Sequence, residues 1–146
     1  MPYATVDALE WRFGEQEILQ LSDRNRDGLA DPDVLAEAIY DADGVVNGII
    51  GVRYAVPVSP TPNILAWAAC QIARYELHDD KAPERVKAGR DNALQILRDI
   101  AEGLMALVGS DGIPIAPLAD GAALYSGAAV GGAARRVTAE VQESMP

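Results

Sequence analysis

The sequence predicts an all-α fold, about five helices in a small bundle, followed by a C-terminal extended arm. Three observations carry this reading. Apolar residues recur at three- and four-residue spacing from Val34 to Leu104, with no sustained alternation of the kind a half-buried strand needs. Proline follows a capping residue at Asp31-Pro32 and Thr61-Pro62, and Pro83 opens a further segment, so helix starts are marked in the chain. Composition then shifts near Gly109: the last 38 residues hold six Gly, nine Ala and three Pro, with few large apolar side chains to offset the entropy of ordering a core. The expected division is a helical domain over residues 1–108 and a Gly/Ala-rich arm over 109–146.

Thr5 is the N-cap of a first helix over Val6–Phe13, with Asp7 in the first turn, where the helix dipole favours an anion, and Gly14 as the stop. A second short helix over Glu15–Leu21 ends at Ser22-Asp23. Asp31-Pro32-Asp33 opens the third, with an apolar face of Val34, Leu35, Ala38, Ile39, Ala42, Val45, Val46, Ile49 and Ile50. Gly44, Gly48 and Gly51 each cost about 1 kcal/mol in a helix interior, so a kink, an early end or a close helix crossing is expected there. Arg53–Pro62 contains three prolines and forms a rigid connector. Thr61-Pro62 starts the fourth helix, whose face includes Ile64, Leu65, Ala68, Ala69, Ile72, Ala73, Tyr75 and Leu77, and Asp79-Asp80 closes it. The fifth begins at Pro83, carries Val86, Ala93, Leu94, Leu97, Ile100, Ala101 and Leu104 on one face, and ends at Gly103.

Charge narrows the function classes. With 22 acidic and 12 basic residues the net charge is −10, which disfavours gripping a phosphate backbone. Arg12, Arg53 and Arg74 each precede an aromatic residue but stand alone, and read as structural ion pairs or subunit contacts; Arg135-Arg136 is too short for a nucleic-acid patch. Cys70 is the single cysteine, so an intrachain disulfide and a cysteine-rich zinc site are excluded; its apolar neighbours make it a small buried hydrophobe. Met1–Thr5 lacks the basic and apolar regions of a signal peptide, and the Gly121–Ala134 stretch is too short and too weakly apolar to span a bilayer, so neither export nor a membrane partner is expected.

The sharpest local motif is Asp23-Arg24-Asn25-Arg26-Asp27-Gly28-Leu29-Ala30-Asp31. Asp23, Asn25 and Asp27, the Leu29 carbonyl and Asp31 sit at the alternate positions of a calcium loop, with glycine at the sixth for the sharp turn. Val34 takes the twelfth place, where such loops carry a bidentate glutamate, so any calcium would bind weakly; the competing reading is a metal-free Asx turn capping the next helix. Calcium is the one cofactor the sequence suggests. His78, beside Asp79 and Asp80, reads as a cation at a helix C-terminus before it reads as a general base. Ser110 and Ser126 lack a nucleophile-activating context, and Gly127–Gly132 has neither the preceding strand nor the Lys-Ser/Thr of a phosphate loop, so no enzyme is expected. In the arm, Ile113, Ile115, Leu118, Leu124, Tyr125 and Val130 are spaced as anchors for a partner's groove, and Thr138 would cap a last helical turn.

Tyr3-Ala4-Thr5, Arg12-Phe13-Gly14-Glu15, Leu21-Ser22-Asp23 leading to Asp27-Gly28, Arg53-Tyr54-Ala55-Val56-Pro57 and Ile72-Ala73-Arg74-Tyr75-Glu76-Leu77 together resemble the Mu-type phage head–tail connector family, over about residues 1–105. The resemblance implies a small helical adaptor forming a ring, a dodecamer, under the portal vertex of a tailed phage or related particle. Its partners would be copies of itself, the portal protein and a tail or head-closure protein, with DNA passing through without specific binding and the protein residing in the virion neck. A calcium-responsive binding module is the alternative reading, and a small hydrolase using His78 the third.

Overall fold

A computed structural model describes residues 2–78 and 81–119. Among them five helices follow in order: α1 (Val6–Phe13), α2 (Glu15–Ser22), α3 (Pro32–Ile50), α4 (Asn63–His78) and α5 (Glu84–Ala101). The all-α bundle is therefore as expected, and no strand longer than an isolated bridge occurs among the described residues. The helices start where side-chain chemistry supplies missing acceptors. Thr5 Oγ1 accepts the Ala8 N–H at 3.1 Å, and Asp31 Oδ1 accepts the Asp33 N–H at 3.0 Å ahead of Pro32. Gly14, at φ 99°, both ends α1 and begins α2, a conformation open to glycine.

Long helices α3, α4 and α5 form the body, with α4 packed on both others, and the α1–α2 hairpin leans on α4 and α3. Leu9, Ile18, Val46, Ile50, Leu65, Ile72, Leu97, Ile100 and Leu107 are all fully buried. Removing each such side chain from water contributes about 1.5–3 kcal/mol, which makes this cluster the main source of stability. Arg74 of α4 ties the hairpin down: its guanidinium donates to both Glu17 carboxylate oxygens at 2.6 and 2.9 Å and stacks 4.3 Å from the Phe13 ring centroid. Its expected role as a structural ion-pair residue is what the geometry shows.

Several details differ from the sequence reading. α3 runs unbroken through Gly44 and Gly48, and a Cβ added at either would meet nothing within 4 Å; these glycines face open space, not a helix crossing. Val45 lies on the outer face of α3 and is exposed. α4 starts one residue later than the Thr61-Pro62 pattern implies, because the Pro62 carbonyl accepts the Leu65 and Ala66 N–H groups and so caps the helix. Pro83 likewise stands just outside α5. Gly103 does stop α5, at φ 82°, with the Leu104 and Met105 N–H groups closing on the Asp99 carbonyl; that turn throws Leu104 into solvent, 75% exposed. Asp79 and Asp80 lie outside the described residues.

Beyond α5 the chain doubles back. Leu107 is buried, Val108 and Pro114 form an antiparallel bridge, Ile115 donates its N–H to Leu107 O at 2.7 Å, and Leu118 donates to Arg53 O at 2.8 Å. Ile115 packs against the core cluster. The first part of the expected arm, up to Ala119, is thus a hairpin seated on the domain; the remainder lies outside the described residues.

Candidate functional site

Three places hold the features on which a function can rest: the Asp23–Asp31 loop, an open apolar groove beside α3, and an exposed apolar hairpin after α5.

In the loop, every carboxylate is already engaged by the backbone. Asp23 Oδ1 and Oδ2 accept the N–H groups of Asp27 (3.0 Å) and Gly28 (2.9 Å), Asp27 Oδ1 accepts that of Leu29 (2.9 Å), and Asp31 caps α3. Desolvation pushes the Asp23 carboxyl up, but those N–H donors outweigh it and hold it below the usual carboxylate range. Arg26 at φ 59° and Gly28 at φ 83° let the chain fold around Asp23, and Arg24 reaches across to the Leu77 carbonyl at 3.3 Å, docking the loop on the end of α4. No group of three or more Asp, Glu, His or Cys poised for a metal occurs among the described residues, so Asp23, Asp27 and Asp31 are not gathered around one point. The arrangement is that of Asx turns leading into a capped helix, with Leu29 exposed, and nothing in it favours calcium.

His78 also departs from expectation. Its Nε2 is buried without a hydrogen-bond partner, and burial is the largest influence on the ring, pushing its pKa below the ordinary value; Arg74 and Arg85 add to this and Glu17 opposes it. Burial therefore works against the helix-capping cation expected at the end of α4. Cys70 is buried, and desolvation raises its thiol pKa, which leaves it an unreactive packing group.

The groove is built from the N-terminus inward. Tyr3 is 3% exposed; its N–H donates to Asp43 Oδ1 at 3.1 Å, its hydroxyl donates to Asn47 Oδ1 at 2.5 Å, and the same hydroxyl accepts the Val58 N–H at 2.9 Å. One side chain thereby fixes the N-terminal segment, the C-terminal half of α3 and the proline-rich connector, in which the Val56–Pro57 and Ser59–Pro60 peptides are cis. Desolvation raises the pKa of both Tyr3 and Asp43. With Tyr3 pinned, Ala4 and Val6 become one wall of the groove, and Leu35, Ile39, Tyr40 and Val45 of α3 the other, with Pro57 at one end. Tyr40 is 78% exposed. A neighbouring hollow is lined by the carboxylates of Glu37, Asp41 and Glu76 together with Arg24, so the apolar groove runs beside an acidic rim. Sequence reasoning missed both the Tyr3 cluster and the groove: a tyrosine joined to partners 40 or more residues away leaves no local pattern, and Tyr40 lies off the apolar face of α3.

A second exposed apolar surface lies on the hairpin after α5, where Leu104, Met105, Val108 and Ile113 face solvent, and a shallow hollow there is bordered by Ile64 and Trp67. Of the six expected arm anchors, Ile115 is packed on the chain's own core, Leu118 is partly buried, Ile113 is exposed, and Leu124, Tyr125 and Val130 lie outside the described residues.

Residues 3–123 match the family described as Bacteriophage Mu, Gp36. The chain belongs to that family. Among its relatives, the Mu-like prophage FluMu protein gp36 of Haemophilus influenzae is 26% identical over 130 residues, covering 89% of this chain and 92% of that protein. Gene product J of Escherichia phage Mu is 26% identical over 104 residues, covering 70% of this chain and 74% of that protein. The match begins at the Tyr3 cluster and takes in the α5 hairpin, extending beyond the stretch of about 105 residues on which the sequence resemblance rests. No helix of the described residues is long and apolar enough to cross a membrane.

Proposed function

We propose that this protein is a head–tail connector of a tailed phage or phage-like particle: a structural subunit, not an enzyme, that forms a closed ring in the neck below the portal, joins head to tail and lets DNA pass. Membership of the phage Mu Gp36 family is the observation that carries the reading. The physical character of the subunit supports it. A ring closes through heterologous contacts, which need two different surfaces on each copy, and the α5 hairpin and the α3 side of the bundle are two separate apolar surfaces. Net charge of −10 suits a conduit wall that repels the DNA backbone and does not retain it. The partners are further copies of the chain, twelve in the full ring, the portal protein on the head side and a tail or head-closure protein on the other. The hairpin is the surface offered to one of these neighbours. Leu104→Asp combined with Ile113→Asp leaves the core untouched, since both side chains are exposed, and abolishes incorporation into particles while the melting temperature stays within a few degrees of wild type. Normal incorporation of that double variant would remove the hairpin from the proposal.

A further inference from the structure

We infer that successive copies of this chain meet hairpin to groove: the α5 hairpin of one copy, led by Leu104 and Ile113, seats in the α3 groove of the next. Arg12, beside the hairpin, then meets Asp41 and Glu76 at the groove. The inference rests on the self-assembly proposed above and names the two surfaces that carry it.

The hairpin is an anchored knob. Its base is held by buried Leu107 and by Ile115 on the core, and its turn is closed by the Gly109 N–H on Ile113 O and the Gly112 N–H on Gly109 O, both at 2.9 Å. On this fixed backbone Leu104, Met105, Val108 and Ile113 are held in water, Leu104 and Ile113 at 75% and 62% exposure. An apolar patch presented by an ordered element marks a contact surface.

The groove is the matching hollow. Its walls are set before a second copy arrives, because Tyr3 ties the N-terminal segment to α3 and to the connector. Gly44 lines it and leaves open space where a Cβ would stand, so an incoming chain can come close to the α3 backbone. A knob and a groove that are both preformed lose little conformational freedom on docking.

Charge decides which surface pairs with which. Among the described residues, the groove is lined by Asp41, Asp43 and Glu76 and by no basic side chain. The hollow beside the hairpin has Arg12 as its single charged lining residue, and that residue is exposed. Asp111 at the hairpin tip turns back on its own loop, where Oδ1 accepts the Ile113 N–H at 3.0 Å. Groove against groove would set the carboxylates of Asp41, Asp43 and Glu76 against themselves, and hairpin against hairpin would set Arg12 against Arg12. Only the unlike pairing brings opposite charges together. The two linings share no residue, so one copy can use both at once, and the contact is heterologous, the kind that repeats from copy to copy and closes into a ring.

The test uses the full chain over a concentration series, with light scattering alongside. Ile113 is replaced by p-benzoylphenylalanine, the samples are irradiated, and covalent dimers are separated by denaturing electrophoresis and mapped by mass spectrometry. The expected dimers join position 113 of one copy to residues 35–47 of another. Arg12→Glu lowers their yield at least fivefold, as does Asp41→Arg with Glu76→Arg, and combining the reversals restores it. Circular dichroism checks that each variant keeps its helices. Dimers joining 113 to 113, dimers mapping away from α3, or a yield indifferent to the charge reversals overturn the inference. Where those samples still form closed rings, the connector reading survives its loss. A chain that stays monomeric throughout the series, alone and with the portal protein, and yields no dimer overturns both.

Discussion

Replacing Tyr3 by phenylalanine removes one oxygen and leaves the packing of the ring in place. That oxygen serves two long-range partners: it donates to Asn47 Oδ1 and accepts the Val58 N–H. The Val58 bond is buried, so its N–H is left in the interior with no acceptor, at a cost of about 1–3 kcal/mol. The Asn47 contact is only partly buried, and water can replace some of it, so its loss adds about 0.5–1 kcal/mol. The expected destabilisation is about 2–3 kcal/mol, which for a domain of this size lowers the melting temperature by roughly 10 °C. Urea unfolding followed by helical circular dichroism reads the same quantity as a fall in midpoint with unchanged slope. Tyr40→Phe is the control: its ring is largely exposed and the change should cost less than about 0.5 kcal/mol. Alkali gives a second readout. Desolvation raises the Tyr3 pKa in the folded protein above its unfolded value of 10.0, so its contribution is complete below pH 10 and is lost as pH rises through the folded pKa. That alkaline loss should disappear in Tyr3→Phe. A variant as stable as wild type would refute the claim that the hydroxyl pins the groove wall.

The chain has one histidine, so its titration is directly visible by NMR. Burial lowers the His78 pKa below 6.5, so the unfolded chain takes up a proton first and stability should fall as pH drops from about 6.5 toward the folded value; a midpoint at or above 6.5 would contradict the lowering by burial. Gly48 lies inside α3 with open space where a Cβ would stand, so Gly48→Ala should stabilise by about 0.4–1 kcal/mol in the same urea assay. Destabilisation there would mean that α3 needs the glycine for something the isolated subunit does not display.

Elements whose ends are set by neighbouring residues were legible in the sequence. Thr5 and Asp31 cap α1 and α3 because a short polar side chain reaches the second or third N–H of its own helix, a contact that needs no tertiary help. Gly103 stops α5 for a comparably local reason. Where two local rules competed, the reading faltered. Thr61-Pro62 carries the same signature as Asp31-Pro32, yet at α4 the proline's own carbonyl takes the capping role. Periodicity placed Val45 and Leu104 inward, but among the described residues no helix covers the outer side of α3, and the Gly103 turn reverses the chain before Leu104. The loop motif supplied the correct residue types for two outcomes, a cation site or Asx turns, and only coordinates show where the N–H groups point. The groove was hidden altogether, because it depends on Tyr3 meeting Asn47 and Val58, contacts that sequence spacing does not encode.

The connector reading stands or falls on assembly. Purified full-length chain, alone and mixed with the portal protein of the same particle, should be imaged by electron microscopy and weighed by light scattering. The account predicts closed rings of twelve copies, stacked coaxially on the portal when it is present. Monomers in both preparations, with no density added to the portal, would contradict it.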